Sequence, residues 1–314
     1  MNKIIKGIET VELTIFTPAF NRISTLERAY QSLESQTNKN FIWLIIDDGS
    51  TDGTDKLIKK LKSKASFMIE YHWKENGGRH TAANYSYKFL KTKYVVTLDS
   101  DDELLPDAVE KMLATWNQIS KKDYDRFWCI SGREIYADNG QMIGKPYPEN
   151  INNLSGKAQR KLIMKYPGEK HCCRKSSILL QYPFPEYDNV KFIEESVCWD
   201  RINQSYDQFC VNDVYGKYYT NSTGSLISDN PHKKQRHKSA YYRDLIYIND
   251  LYKDFWINWK IPYCTMDLPR RAILIGEKYI DVMKEINSLL KRTLVTICYP
   301  IGWAVACIKD KNDN

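Results

Sequence analysis

The sequence predicts an α/β fold, in which a mixed, mostly parallel sheet is flanked by helices and followed by a helical C-terminal extension. Apolar runs of strand length alternate with amphipathic helical stretches, as in a parallel sheet whose strands are joined by helices. Three of these runs, residues 13–17, 41–46 and 94–98, end abruptly in polar or acidic residues. Short, nearly continuous apolar runs of this kind are typical of strands that are buried on both faces.

The three strand ends are expected to form one site. Segment 17–22 follows the first run, segment 47–54 follows the second, and the acidic turn Asp99–Asp102 follows the third. The carboxyl ends of parallel strands meet at one edge of a sheet, and open sheets bind ligands just beyond that edge. We therefore expect Thr17 and Asp48 to lie beside the acidic turn.

The acidic turn is a candidate metal site. Carboxylates that are held close together repel one another, and a hard divalent cation relieves that repulsion. The alternative is a turn that only caps the helix starting near Asp107, since acidic turns are common. Taken alone, the turn leaves both interpretations open.

Helices and a further strand are predicted around these runs. The first helix is expected to begin with a capping box formed by Ser24 and Glu27. Its apolar stripe consists of Leu26, Ala29, Tyr30 and Leu33. The helix after the acidic turn has a similar stripe, made of Val109, Met112, Leu113 and Trp116. Residues 127–136 are typical of a strand, and residues 138–140 of a hairpin turn.

Composition favours a cytoplasmic enzyme. The chain has 314 residues, 42% of them hydrophobic, which predicts a sizeable core and excludes general disorder. Its eight cysteines form no C-x-x-C pair, so a zinc ribbon and a thioredoxin-like motif are excluded. The run His171–Cys173 has no second ligand pair at zinc spacing, which favours free thiols in a reducing compartment. Residues 1–7 have no apolar signal core, so secretion is not expected.

The ordered motifs resemble family 2 of the glycosyltransferases, which are enzymes of the GT-A fold. The resembling segments are 17–22, 35–37, 47–52, 76–84 and the D-x-D element 99–102. Each segment alone is a weak signal, but together they occur in the right order and spacing over residues 11–107. A weaker resemblance continues to about residue 200.

This resemblance implies inverting transfer of a sugar from a nucleotide-diphosphate donor, a UDP-sugar, to a hydroxyl of a glycan or lipid-linked acceptor. It implies Mn²⁺ or Mg²⁺ as cofactor, held by Asp101 and Asp99, which neutralises charge on the departing diphosphate. Asp48 would accept the uracil N–H, although a purely turn-forming Asp48 stays open. The residues implied in donor binding are Thr17, Pro18, Ala19, Asn21, Arg22, Asp48, Gly77, Arg79, Asn84, Asp99 and Ser100.

The general base is expected well after the metal strand. In the resembling family an acid at the start of a helix, with an aromatic residue one turn later, takes the proton of the acceptor hydroxyl. Segment 192–199 fits this pattern and contains two adjacent acids, Glu194 and Glu195. The position of its aromatic residues selects Glu195 as the catalytic base. Glu194 and Asp200 remain alternatives, and a helix N-terminal acid favoured by the dipole is the non-catalytic interpretation.

Two domains are expected. Residues 1–222 would form the GT-A catalytic domain, with a nucleotide-sugar half at about 11–107 and an acceptor half at about 108–222. Residues 223–314 would form the helical C-terminal region. Its apolar stripe is made of Leu245, Ile248, Leu251 and Tyr252.

The C-terminal region is also expected to meet an anionic partner. The net charge is +7, and residues 233–238 form a basic cluster. No nucleic-acid-binding motif is present, so anionic membrane lipid or a diphosphate-linked acceptor fits better. Segment 294–308 is apolar but shorter than the ~20 residues of a membrane span. It would be either an interfacial anchor, which places the enzyme at the inner face of the plasma membrane, or a helix packed on the catalytic domain.

Two other classes of function use similar residues. A nucleotidyltransferase normally has a Gly-rich, basic phosphate loop after the first strand, where this chain has segment 17–22. A sugar- or nucleotide-binding module without catalysis would not require Asp99, Asp101 and Glu195 together. The sequence therefore favours a transferase over both alternatives.

Overall fold

The computed structural model describes residues 11–166, 168, 170–220, 233–254 and 259–312. The strands in these ranges are β1 (Leu13–Ala19), β2 (Phe41–Asp47), β3 (Met68–Trp73), β4 (Tyr94–Thr97), β5 (Glu103–Leu104), β6 (Phe127–Tyr136), β7 (Cys172–Lys175) and β8 (Asp207–Tyr218). The first helices are α1 (Leu26–Glu34), α2 (Thr54–Lys62), α3 (Arg79–Ser86), α4 (Ala108–Gln118), α5 (Lys121–Tyr124), α6 (Gly156–Ile163) and α7 (Ser176–Leu179). The later helices are α8 (Ser196–Ile202), α9 (Lys233–Asp250), α10 (Lys260–Ile275), α11 (Tyr279–Glu285) and α12 (Leu289–Asn312).

All of these strands belong to one mixed sheet, in the order β3-β2-β1-β4-β7-β6-β8-β5. Strands β3, β2, β1 and β4 are parallel, β6 and β8 are parallel, and β7 runs against both of its neighbours. The predicted fold class is confirmed. Because β1 lies between β2 and β4, the loops that follow these three strands emerge at the same edge of the sheet.

The apolar patterns form the core of this sheet. Every residue of β2 is buried, as expected for a strand covered on both faces. The predicted stripes of α1 and α4 are buried in the same core. Strand β6 has the predicted bounds, and Gly140, with a positive φ, forms the turn that follows it.

The predicted capping box is wrong. Helix α1 begins at Leu26 after Thr25, and no side chain caps its first turn. The amides of Thr25 and Leu26 instead donate to the carbonyl of Arg22, which forms a tight turn before the helix. Ser24 is exposed within that turn.

The chain divides into two compact units. The first reaches Pro183 and resumes at Ile202, and it contains the whole sheet. The second combines Phe184–Arg201 with the described residues from Lys233 onward. The predicted boundary between residues 222 and 223 lies outside the described residues. The assignment of Phe184–Arg201 to the second unit differs from the expected domains.

The second unit is a helical assembly around its own core. The buried residues of this core are Tyr241, Leu245, Ile248, Leu268, Ala272, Val282, Ile286 and Val295. Helix α12 therefore packs within the C-terminal unit through one of its faces, on α10 in particular. None of the helices within the described ranges has both the length and the apolar character needed to cross a membrane.

A glycine allows α10 and α12 to approach closely. A Cβ atom at Gly302 would lie 2.8 Å from the backbone nitrogen of Arg270 and 2.8 Å from the Cβ of Pro269. Both atoms belong to a rigid part of α10 and cannot rotate away. Gly302 is therefore required by packing and not by turn geometry.

We expect Gly302→Ala to destabilise the protein by about 1–3 kcal/mol, the usual effect of overpacking. The sign of this change in the free energy of unfolding is informative, because a Gly→Ala change at an exposed helix position stabilises a protein by roughly 1 kcal/mol through helix propensity. Urea unfolding of the two proteins measures the difference. A more stable Gly302→Ala variant would contradict the close helix contact.

Candidate active site

The loops after β1 and β2 are fastened to each other by hydrogen bonds. Asn21 has a φ of 53° and donates its amide to Ser50 Oγ at 2.8 Å. Its side-chain oxygen accepts the amide of Thr51 at 2.9 Å. Asp52 Oδ2 accepts the amide of Ile23 at 3.0 Å. Asn21 is thus placed at the sheet edge by contacts with the neighbouring loop.

Asp47 is a structural residue of this edge. It is buried, its Oδ1 accepts the amide of Ser50 at 2.7 Å, and its Oδ2 accepts the hydroxyl of Tyr71 at 2.6 Å. Burial and the nearby Asp47 carboxylate raise the pKa of Tyr71, so the phenol stays protonated as a donor. Asp47 thereby fixes the turn after β2.

Asp48 holds the loop that follows β3. Its Oδ1 accepts from Lys74 Nζ at 2.6 Å and from the amide of Gly77 at 2.9 Å. Its Oδ2 accepts from Asn76 Nδ2 at 3.2 Å and from the amide of Gly78 at 2.7 Å. A carboxylate has about four acceptor positions, and four donors point at this one. Asp48 is therefore the residue that shapes segment 74–78.

The acidic turn is paired with arginines from two helices. Arg79, the first residue of α3, places Nη2 2.7 Å from Asp99 Oδ1, and about a third of each side chain is exposed. Arg28 on α1 donates to the carbonyl oxygen of Asp101 and lies 3.6 Å from the ring centroid of Tyr219. The turn thus has two cations beside its carboxylates.

The pKa of Asp102 reflects the negative charge of the acidic turn. It is buried, and its Oδ1 accepts the amide of Tyr219 at 3.0 Å. Burial first, and then the charges of Asp99 and Asp101, raise the pKa of Asp102 to about 8. Burial and the neighbouring carboxylates therefore disfavour the ionised form of Asp102.

The donor set of this turn suits Mn²⁺ or Mg²⁺. Such cations are usually held by one or two carboxylates, with the other positions filled by substrate phosphates and water. Asp101 and Asp99 can supply two hard oxygen ligands. Within the described part of the chain, no group of three His, Cys, Asp or Glu side chains is arranged to hold an ion. The two carboxylates have the oxygen chemistry that such a cation prefers, and their role as its ligands stays a prediction.

The absence of a three-ligand group in the described residues also concerns the cysteines. All eight are free thiols, as predicted. The run His171–Cys173 belongs to no metal-binding group in the described ranges. His171 Nδ1 lies 2.7 Å from Glu134 Oε1 instead.

The remaining residues predicted for donor binding lie in different environments. Thr17 is fully buried, and its hydroxyl accepts the indole N–H of Trp43 at 2.9 Å. The hydroxyl of Thr17 is thus used inside the core, and the role of Thr17 in donor binding stays a prediction. Ala19 and Ser100 are also buried. The half-buried residues of the set are Pro18, Arg22, Gly77 and Asn84.

The acids around the predicted base belong to the second unit. Glu194 Oε1 lies 2.8 Å from Nη1 of Arg243, which also pairs with the buried Asp244 at 2.7 Å. Asp200 accepts the hydroxyl of Tyr247 at 2.6 Å. The carbonyl of Glu195 accepts amides of the first turn of α8, and its side chain is half-buried. Glu194 and Asp200 are thus engaged by α9.

Three residues near the acidic turn and the β3 loop were not predicted. Lys74 could have been found, because it lies two positions before the Asn-Gly-Gly run that was recognised. Arg28 and Tyr219 had no local signal, since their contacts join residues 73 and 117 positions apart.

Comparison with known sequences shows the family. The profile described as "Glycosyl transferase family 2" matches residues 14–187, more than half of the chain. An uncharacterized glycosyltransferase of Mycoplasma pneumoniae is 39% identical over 84 residues, which are 26% of this chain and 27% of that protein. The chondroitin synthase of Pasteurella multocida is 39% identical over 101 residues, 32% of this chain and 10% of that protein. The alignments thus span about a quarter or less of these relatives.

Solved structures show the same fold at low identity. S. aureus TarS in complex with UDP-GlcNAc is 14% identical with a TM-score of 0.58, over 96% of this chain and 92% of that chain. The mannosyltransferase PcManGT from Pyrobaculum calidifontis, in complex with GDP-Man and Mn²⁺, is 14% identical with a TM-score of 0.51. That alignment covers 94% of this chain and 80% of the mannosyltransferase. The chain therefore belongs to glycosyl transferase family 2 and has the GT-A fold.

Proposed function

We propose that the protein is an inverting glycosyltransferase that moves a sugar from a UDP-sugar to a hydroxyl of a glycan or lipid-diphosphate-linked acceptor. The observation that carries this proposal is the acidic turn at the carboxyl edge of the sheet, with Arg79 on Asp99. Support comes from TarS, which binds UDP-GlcNAc, and from relatives that include a chondroitin synthase. These relatives favour a role in bacterial surface polysaccharide or glycolipid synthesis.

The acidic turn would bind the cation and the donor diphosphate. Asp101 and Asp99 would hold Mn²⁺ or Mg²⁺, which when bound neutralises charge on the leaving diphosphate. Arg79 contributes a second positive charge directly beside Asp99. Because a guanidinium stays protonated at any working pH, it can pair with phosphate oxygens as readily as with Asp99.

Asp48 would recognise the base of the nucleotide. A uracil N–H needs one acceptor position, and the four donors already present include the Lys74 ammonium. Lys74 is the donor that can leave most easily, because its stem is flexible while Gly77 and Gly78 donate through the main chain. We expect Lys74 to turn aside when uracil binds.

We expect Asp48→Ala to weaken UDP binding much more than it slows transfer at saturating donor. Contacts to the base are equal in the ground state and the transition state, so they affect affinity more than chemistry. Calorimetry with UDP measures the loss, which we expect to be at least about tenfold, from one charge-assisted hydrogen bond and a displaced loop.

The matched control for Asp48→Ala is Asp55→Ala, which removes the same charge from an exposed position of α2. It should leave UDP affinity unchanged. Equal affinities of all three proteins would reduce Asp48 to a turn-forming residue.

Glu195 would act as the general base. In a single displacement the acceptor hydroxyl attacks the anomeric carbon while a carboxylate takes its proton, and the diphosphate leaves with the bonding electrons. Glu194 is paired with Arg243, and Asp200 accepts the hydroxyl of Tyr247 and lies 3.6 Å from Lys260 Nζ. The aromatic pattern of segment 192–199 selects Glu195.

A donor assay separates this function from its alternatives. UDP release is measured with UDP-glucose, UDP-galactose and their N-acetyl forms, with and without Mn²⁺. Release that depends on the metal supports a transferase. Absence of release with every donor would favour a binding module, and release of pyrophosphate from a nucleoside triphosphate and a sugar phosphate would favour a nucleotidyltransferase.

The location of the reaction in the cell follows from the acceptor that we propose. Lipid-diphosphate-linked acceptors lie in a membrane, and nucleotide sugars are made in the cytoplasm. We therefore place the enzyme on the cytoplasmic side, peripherally at the inner face of the plasma membrane. The basic C-terminal region supports this location.

A further inference from the structure

The last helix exposes an unusually apolar face. Six of its large apolar side chains are 55–79% exposed: Leu289, Leu290, Ile297, Ile301, Trp303 and Ile308. Four of them, Leu290, Ile297, Ile301 and Ile308, recur at spacings of seven, four and seven residues, so they form one stripe along the helix. No charged residue occurs between residues 293 and 308, a stretch about 24 Å long. We call the stripe of four residues the apolar face of α12; Trp303, two positions after Ile301, lies on a different side of the helix.

Helix α12 cannot bury its apolar face by rotating about its own axis. Its opposite side is used in the second unit, where Val295, Gly302 and Ala306 are buried. The close contact of Gly302 with Pro269 and Arg270 fixes the rotation of α12 about its own axis. The apolar face is therefore exposed in the described part of the chain. Contiguous exposed apolar surface of this kind marks a site of interaction.

The charge of the C-terminal region indicates which partner the apolar face of α12 binds. Residues 233–314 contain 15 Lys or Arg and 9 Asp or Glu, a net charge of +6, whereas the remaining 232 residues have a net charge of +1. Lys291 and Arg292 precede the uncharged stretch and Lys309 follows it. An apolar helix face flanked in sequence by Lys291, Arg292 and Lys309 is complementary to an anionic lipid surface, where acyl chains lie beneath acidic headgroups.

We propose that the apolar face of α12 lies in the surface of an anionic bilayer, with the helix axis parallel to the membrane plane. The isoleucines of the stripe would reach the boundary between headgroups and acyl chains. This inference concerns a surface outside the acidic turn and holds whichever sugar is transferred. It takes up the expectation that segment 294–308 is an interfacial anchor.

Vesicle sedimentation tests the proposal with the full chain. One set of vesicles contains phosphatidylglycerol and phosphatidylcholine in equal amounts, and the other contains phosphatidylcholine only. The protein should sediment with the anionic vesicles and much less with the neutral ones. The double variant Ile297→Asp, Ile301→Asp should lose at least about tenfold in vesicle affinity, since two apolar contacts are replaced by charges that anionic lipid repels.

The matched control places the same two charges on the first unit. Leu180→Asp with Met142→Asp changes exposed apolar residues outside α12 and should bind vesicles like the unchanged chain. UDP affinity of both double variants shows that they are folded.

Three outcomes would overturn the proposal. The chain could fail to bind either kind of vesicle, or the α12 double variant could bind as well as the control variant. The unchanged chain could also form a dimer and not bind vesicles, while the α12 double variant is a monomer. That result would assign the apolar face of α12 to a second copy of the chain. None of these measurements depends on sugar transfer, so they are independent of the donor assay.

Discussion

Replacing Asp101 by alanine is expected to abolish sugar transfer while the protein stays folded. The residue supplies a hard oxygen ligand to a cation that the departing diphosphate requires, and one remaining carboxylate, Asp99, is already paired with Arg79. Removing one charge from the acidic turn also relieves the repulsion that raises the pKa of Asp102. The apo variant should therefore be as stable as the unchanged chain or more stable.

The measurement is metal-dependent UDP release, with urea unfolding as the test of folding. Asp107→Ala removes an exposed carboxylate from the same stretch of chain and should retain activity, because Asp107 pairs only with Lys111 in the next turn. Transfer by Asp101→Ala at saturating Mn²⁺ would count decisively against the metal role.

Glu195→Gln is expected to slow transfer by ~10²-fold or more with little change in UDP affinity. Glutamine keeps the size and hydrogen bonding of the side chain but cannot take a proton from the acceptor hydroxyl. The loss should appear in kcat, since the proton moves only in the transition state. Calorimetry with UDP provides the separate measure of donor binding.

Glu194→Gln is the matched control, because it makes the same change one residue earlier. Its carboxylate is held by Arg243, and we expect the variant to transfer sugar at a nearly normal rate. If Glu194→Gln is inactive and Glu195→Gln is active, the two assignments are reversed. Normal transfer by both variants would place the base on another residue.

Local patterns predicted the framework of the first unit. The apolar runs of β1, β2 and β4 identify buried strands without any knowledge of their neighbours, because burial on both faces demands apolar residues at consecutive positions. The order of these strands then brings their polar ends together by topology alone. For this reason Asp48 and the acidic turn could be assigned to one sheet edge from the sequence.

The hydrogen-bond partner of each polar side chain could not be predicted in the same way. Thr17 and Asp48 are both polar residues at strand ends, but Thr17 bonds to Trp43 in the core and Asp48 bonds to a loop 26–30 residues away. Which atom a polar group meets is decided by tertiary packing, which leaves no period in the sequence. The arginine partners of the acidic turn were missed for the same reason.

The division into units shows a further limit of sequence patterns. Segment 184–201 is continuous with the first unit along the chain, but Glu194, Asp200 and Arg201 are held by α9, as in the pair of Arg201 with Asp250. Ion pairs between segments far apart in sequence have no compositional signal at either end. A boundary drawn from the polar stretch 222–238 therefore could not detect this exchange.

The fastening of the β1 loop to the β2 loop constrains how donor recognition can change in evolution. Asn21, Ser50 and Asp52 share hydrogen bonds across the two loops, so the free-energy effects of substitutions at these positions are not additive. A change at one position leaves a polar group of the other loop without its partner. New donor preferences in this part of the molecule should thus arise through paired substitutions, and grafting one loop from a relative should succeed only when its companion is grafted with it.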